Sequence, residues 1–147
     1  MERIKKVVFL FLLIFASFQV TGLAANGLKA VPNSKQVDWN PVMDAIIQVE
    51  SRGDSKAKSG NSVGAMQITP ILVAECNQIL KRKKSKKRFK LSDRFSISKS
   101  KEMFILFQSA HNPLNDIERA IRSWNGGLHF SVKRTQRYLE KVMNVMK

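Results

Sequence analysis

Cysteine, histidine and acidic side chains are scarce in this chain, and each shortage removes an option. With one cysteine among 147 residues, no internal disulfide can form. That residue, Cys76, lies in Val73-Ala74-Glu75-Cys76-Asn77 within a predicted helix and reads as a small buried apolar side chain. Neither His111 nor His129 stands in a pattern that would activate it as a nucleophile. The same two histidines lack partners at ligand spacing, so the sequence offers no metal centre, and no cofactor is expected. Val7 to Phe18, apolar except for Ser17, falls short of the ~20 residues that cross a bilayer comfortably. No internal repeat is visible, and no strand longer than Val63 to Ile68 is indicated. Eleven acids face 26 lysines and arginines, a formal net charge of +15 that draws the protein toward polyanions.

What is present begins with a three-part N-terminus. Arg3, Lys5 and Lys6 precede the apolar run, and the small-residue step Gly22-Leu23-Ala24 follows it. This is the layout of a secretory signal peptide over residues 1–24, with an uncleaved anchor as the alternative. No cysteine sits at the cleavage step, which argues against a lipoprotein. The protein is therefore expected to be exported, to the periplasm or cell envelope. Removing residues 1–24 takes away three basic side chains and one acid, leaving +13 of the +15. For an exported protein the relevant polyanions are anionic lipids, acidic glycans and wall polymers, and no nucleic acid partner is expected. A linker follows over residues 25–36, with Gly27, Pro32 and Asn33, and one modest domain is expected over residues 37–147.

Five amphipathic segments predict a mainly α domain with a minimal β-hairpin or loop region near Val63–Ile68. Asn40-Pro41 reads as a cap followed by proline at the first helical position, and Val42, Ala45, Ile46 and Val49 recur at helical spacing up to Gly53. Thr69-Pro70 repeats the signal for a helix to about Leu80. Lys81 to Lys90 then carries eight basic residues in ten positions, read as a solvated loop whose charge attracts anionic wall or membrane surfaces. A third helix is expected over Lys99–His111 with Met103, Phe104, Phe107 and Ala110 inward. The pair Asn115 and Glu118 is expected to open a fourth, with Ile117, Ala120, Ile121 and Trp124 on one face, stopped by Gly126-Gly127. The last runs from about Ser131 to Val145.

Glu50 lies four residues after Ile46, on the edge of the first apolar stripe, where partial burial would raise a carboxyl pKa into the range of a general acid. The alternative is an exposed glutamate in a last turn. Asp54 is the nearest acid along the chain and reads as a turn residue.

Ile47-Gln48-Val49-Glu50-Ser51, with Ser59 nine residues after Glu50 and then Gly64-Ala65-Met66-Gln67-Ile68-Thr69-Pro70, resembles the signature of the soluble lytic transglycosylase domain of the lysozyme superfamily. Ala120-Ile121-Arg122-Ser123-Trp124-Asn125-Gly126-Gly127 resembles that family's Ala-x-x-x-Tyr-Asn-x-Gly, and Thr135-Gln136-Arg137-Tyr138-Leu139 its Glu-Thr-x-x-Tyr-Val. The likeness runs from about Val37 to Val145. It implies a lysozyme-like fold, peptidoglycan glycan strands as substrate, and Glu50 as catalytic acid and base. It further implies a cleft lined by Ser59, Met66, Gln67, Trp124, Asn125 and Tyr138. Three positions depart from the pattern. The step from Ser59 to Gly64 is one residue short, Trp124 replaces the cleft tyrosine, and Arg134 stands where glutamate is frequent.

Hydrolysing glycosidases ordinarily use two carboxylates, whereas the resemblance implies one, with the muramic C6 hydroxyl as internal nucleophile. Two other readings stay open. One is a lysozyme-type muramidase using Asp54 or another acid. The other is a non-catalytic peptidoglycan-binding protein on the same fold. A cationic membrane-disrupting protein is a further alternative, resting on Lys81 to Lys90 alone.

Overall fold

Pro41 sets the backbone for a helix that begins at Asn40, and in the computed structural model, which describes residues 37–147, α1 spans Asn40–Ser51. The cap lies one residue earlier than Asn40-Pro41 predicts. Trp39 occupies it, and the Asp38 carboxylate accepts from both the Asn40 amide (2.9 Å) and the Asn40 side chain (2.9 Å). Val42, Met43, Ala45 and Ile46 are buried, and the left-handed Arg52 (φ 55°) ends the helix just before Gly53. The signal-peptide and linker expectations fall on residues outside the described ones.

The polar stretch after α1 makes the short hairpin. Strand β1 (Lys58–Ser59) pairs antiparallel with β2 (Ser62–Val63), Lys58 opposite Val63 and Ser59 opposite Ser62. A bridge between Val63 and Ile68 closes the following turn. The hairpin thus starts five residues before the expected Val63. Helix α2 (Pro70–Arg82) is capped by Thr69, whose Oγ1 accepts from the Leu72 amide at 3.2 Å. A 3-10 turn at Leu91–Phe95 precedes α3 (Ile97–His111), capped by Ser96.

Helix α4 spans Ile117–Gly126 and α5 Val132–Val145. The cap of α4 is Asp116, one residue after the predicted Asn115, because Asn115 is left-handed (φ 54°) and Asp116 Oδ1 accepts from the Arg119 amide (3.0 Å). Two inward assignments are corrected: Ala110 is exposed, and Ile117 is 39% exposed. Both lie near a helix end, where the stripe runs off the packed face. Among the described residues no helix is long and apolar enough to cross a membrane.

The core gathers around Phe104, which packs edge-on to Trp39 (5.7 Å between ring centres) and tilted against Trp124 (5.1 Å). Met43, Ile46, Met66, Met103 and Ile121 fill the space around it. Cys76 belongs to this core, its thiol 3.6 Å from the Met103 carbonyl, and burial pushes its pKa up to about 12. It is an inert packing residue, as its helical setting predicts.

Candidate active site

Glu50 sits in the last turn of α1, half-buried, with Val49 packed against the core beside it. The Tyr138 hydroxyl, on α5, donates to Glu50 Oε1 at 2.6 Å. Burial raises the Glu50 pKa above its ordinary value, and the tyrosine bond, which favours the carboxylate, opposes that rise. Tyr138 in turn is pushed well above the usual phenol range by burial and by the glutamate charge, so it remains a donor.

Ser51 explains the second half of the Glu-Ser pair. Its hydroxyl donates to the Ala65 carbonyl at 2.9 Å and accepts from the Gly53 amide at 3.2 Å, fastening the end of α1 to the Gly64–Gln67 turn. That turn requires its glycine. Gly64 has φ +78°, and a Cβ there would lie 1.9 Å from the Arg94 carbonyl oxygen. Arg94 holds the turn from outside, donating to the Asn61 carbonyl (3.1 Å) and the Ile68 carbonyl (3.2 Å). Gln67 is itself left-handed (φ 51°), and its side-chain amide donates to the Gly64 carbonyl at 3.0 Å.

Trp124 reaches the same turn from α4: its indole N–H donates to the Met66 carbonyl at 3.2 Å. Beside it opens a cavity of about 430 Å³ whose walls include Gln67, Leu72, Phe107, Trp124, Asn125 and Leu128. Glu50 is not among its lining residues; the Gly64–Gln67 turn connects the two. Gln67, Trp124 and Asn125 therefore converge on one cavity, while Glu50 and Tyr138 converge on each other.

Two predicted cleft residues, Met66 and Ser59, do not line this cavity. The Met66 side chain is fully buried in the core and has no surface to offer a ligand, because the turn shows its carbonyl to Trp124. Ser59 is exposed on β1 opposite Ser62. Asp54 serves its own turn, its Oδ1 accepting from the Lys56 amide at 2.8 Å. No cluster of three or more histidine, cysteine or acidic residues able to hold a metal occurs among the described residues.

Three supporting roles escape the motif reading: Ser51 as a staple, Arg94 as an outer clamp, and the buried Arg122. Arg122 is 4% exposed and donates to Glu118 (2.7 Å), the Val132 carbonyl (3.0 Å), Thr135 (3.0 Å) and Gln136 (2.7 Å). It joins α4 to α5 and so carries Tyr138 to Glu50. The one signal in the sequence is Glu118 four residues before it; Arg122 lies off the apolar stripe of α4, so its burial leaves no periodic trace.

A family model described as Transglycosylase SLT domain matches residues 29–143. No curated protein and no solved structure matches the chain.

Proposed function

The chain belongs to the transglycosylase SLT domain family, and on that premise we propose that it is an exported lytic transglycosylase acting on peptidoglycan. The bond cleaved is the β-1,4 link between N-acetylmuramic acid and N-acetylglucosamine, with Glu50 as the single acid and base. The observation that carries this reading is the half-buried Glu50 held by Tyr138 at 2.6 Å. A group that works first as acid and then as base must keep its proton in the resting site yet tolerate the charge once the proton is gone. Burial serves the first need and the tyrosine bond the second.

The carboxyl proton goes to the glycosidic oxygen, the bond from muramic C1 to that oxygen breaks, and charge develops at C1. The carboxylate then takes the proton of the C6 hydroxyl as its oxygen bonds to C1. The 1,6-anhydro ring closes and Glu50 regains its proton, with no water consumed. An internal nucleophile is already in position, which stands in for a second carboxylate and its water. Asp54, the nearest acid along the chain, is occupied with its own loop, and this favours the single-acid route over a hydrolase. Gln67, Trp124 and Asn125 bind the glycan along the cavity they line. Ser59, exposed on β1, is free to meet the glycan from outside the cavity. Met66 contributes through its carbonyl, by fixing Trp124.

Mass spectrometry of purified peptidoglycan after incubation with the protein tests the proposal. The expected products end in 1,6-anhydromuramic acid, about 18 Da lighter than hydrolysis products. Glu50→Gln should lower turnover at least ~100-fold, the scale of lost general acid catalysis, while the fold is kept. Products with reducing ends alone would make the protein a muramidase. Binding without turnover would make it a non-catalytic wall protein.

A further inference from the structure

Between the end of α2 and the middle of α3 lies a groove of about 460 Å³ that shares no lining residue with the cavity beside Trp124. Its floor is apolar, made by Leu80, Phe89, Ile105 and Leu106. Ile105 leaves 46% of its surface in water. Phe89 is buried because Asn77 grips its backbone twice, its side-chain amide donating to the Phe89 carbonyl (2.9 Å) and its carbonyl accepting from the Phe89 amide (2.8 Å). The basic segment is therefore not the free solvated loop its composition predicts. It is pinned at Phe89, and two of its cations, Lys83 and Lys87, line the groove.

These two cations form the rim. Lys83 Nζ donates to Ser109 Oγ at 3.3 Å, and Lys87 pairs with Glu102 while lying 5.1 Å from the centre of the Phe89 ring. Their stems follow the apolar floor and their charged ends reach water. Glu102, the one acid of the rim, is already shared by Lys87 and Lys99. Lys81, Lys84, Lys86 and Lys90, in the same segment, are exposed, and residues 81–90 contain no acid.

Such a face has two unmet demands. Its cations lower their mutual repulsion by meeting anions, and its wet apolar floor gains by meeting hydrocarbon. A linear anionic polymer answers the first and leaves the floor wet. An anionic phospholipid answers both, with phosphate at the lysines and the glycerol–acyl boundary at the floor. We propose that the groove between α2 and α3, with Lys81–Lys90 around it, docks the domain on a bilayer containing anionic phospholipid. The lysines then lie at headgroup depth and Ile105 at the acyl boundary. The inference stands on this face alone and does not depend on the catalytic reading.

The test uses the full chain with vesicles of phosphatidylcholine, alone or mixed with phosphatidylglycerol. Vesicles of phosphatidylcholine alone measure what residues 7–18 contribute, equally in every variant. The preference for mixed vesicles should fall at least ~100-fold when Lys81, Lys84, Lys86 and Lys90 are replaced by Gln, at about fivefold per cation. Ile105→Ser should weaken that preference about fivefold, and Ile105 is exposed enough for the variant to fold. The decisive readout is fluorescence of an Ile105→Trp variant on vesicles with brominated acyl chains. Its indole should be quenched on mixed vesicles beyond any quenching of the unmodified protein, and should escape quenching once the four lysines are replaced. Equal quenching on neutral vesicles, or none on mixed ones, would overturn the proposal. So would salt-sensitive binding to wall sacculi that ignores Ile105→Ser and brings no quenching, which would assign the face to a polymer. Self-association abolished by Ile105→Ser, again without quenching, would assign it to a second copy.

Discussion

Tyr138 supplies the hydroxyl that Trp124 lacks. The family pattern places a tyrosine beside the cleft at position 124; here an indole takes that place and spends its only donor on the Met66 carbonyl. The phenol that meets Glu50 comes from α5 instead. Since this bond favours the carboxylate, Tyr138→Phe should let burial act unopposed and raise the Glu50 pKa further. The acid form then persists to higher pH. The alkaline limb of the rate profile on short soluble glycans should move upward, and turnover at the optimum should fall about 10-fold, in line with losing a hydrogen bond to a charged group. A limb that stays in place would show that Tyr138 does not tune Glu50. The half-burial of Glu50 was legible from its place on the edge of an apolar stripe, because helical periodicity is a local signal, whereas its role rests on the likeness of the motifs. Its partner is 88 residues away, and a pairing at that distance leaves no periodic trace. For Met66 the motif gave the turn but not the direction of the side chain, which depends on packing against the core.

Helices α4 and α5 meet through one buried cation. Arg122 is the hub for four acceptors, and its acidic partner Glu118 keeps 60% of its side chain in water. Replacing Arg122 by Met therefore strands no buried charge, but it takes one donor each from Thr135, Gln136 and the Val132 carbonyl. We expect a loss of about 2 kcal/mol, within the range for leaving buried acceptors unpaired, measured by urea denaturation. Activity should fall further than the unfolded fraction explains, because α5 carries Tyr138. Turnover that simply tracks the folded fraction would show that α5 holds its position without this hub. The five helices were legible as elements, since their caps and apolar spacing are short-range features. Their starts shift by one residue: at α1 the Asn40 side chain donates to Asp38 and caps nothing, and at α4 Asp116 takes the cap beside a left-handed Asn115. The hairpin was set too late for a related reason. Its strands are two residues each, too short for alternation to register, and their pairing is fixed partly by Arg94 from another part of the chain.

For the molecule as a whole, a net charge of +15 on 147 residues sets a self-repulsion that folding concentrates. Salt screens it over about 8–10 Å at physiological strength. The thermal midpoint should therefore rise by a few degrees between low salt and roughly physiological salt, since ~1 kcal/mol moves a domain of about 100 residues by about 4–8 °C. A midpoint that falls with salt would mean that ion pairs such as Lys101–Asp44 outweigh the repulsion. The charge was plain in the composition; its arrangement around an apolar groove was not, because the grip of Asn77 on Phe89 spans twelve residues and has no motif. With α2 ending at Arg82, that grip closes residues 83–88 into a short loop with both ends fixed. Changing the length of such a loop costs little, about 0.6 kcal/mol for a doubling. Mutation can lengthen, shorten or recharge this loop while Gly64 and Gln67 stay where they are, so a lineage can change the surface that the domain meets without disturbing the turn beside Glu50.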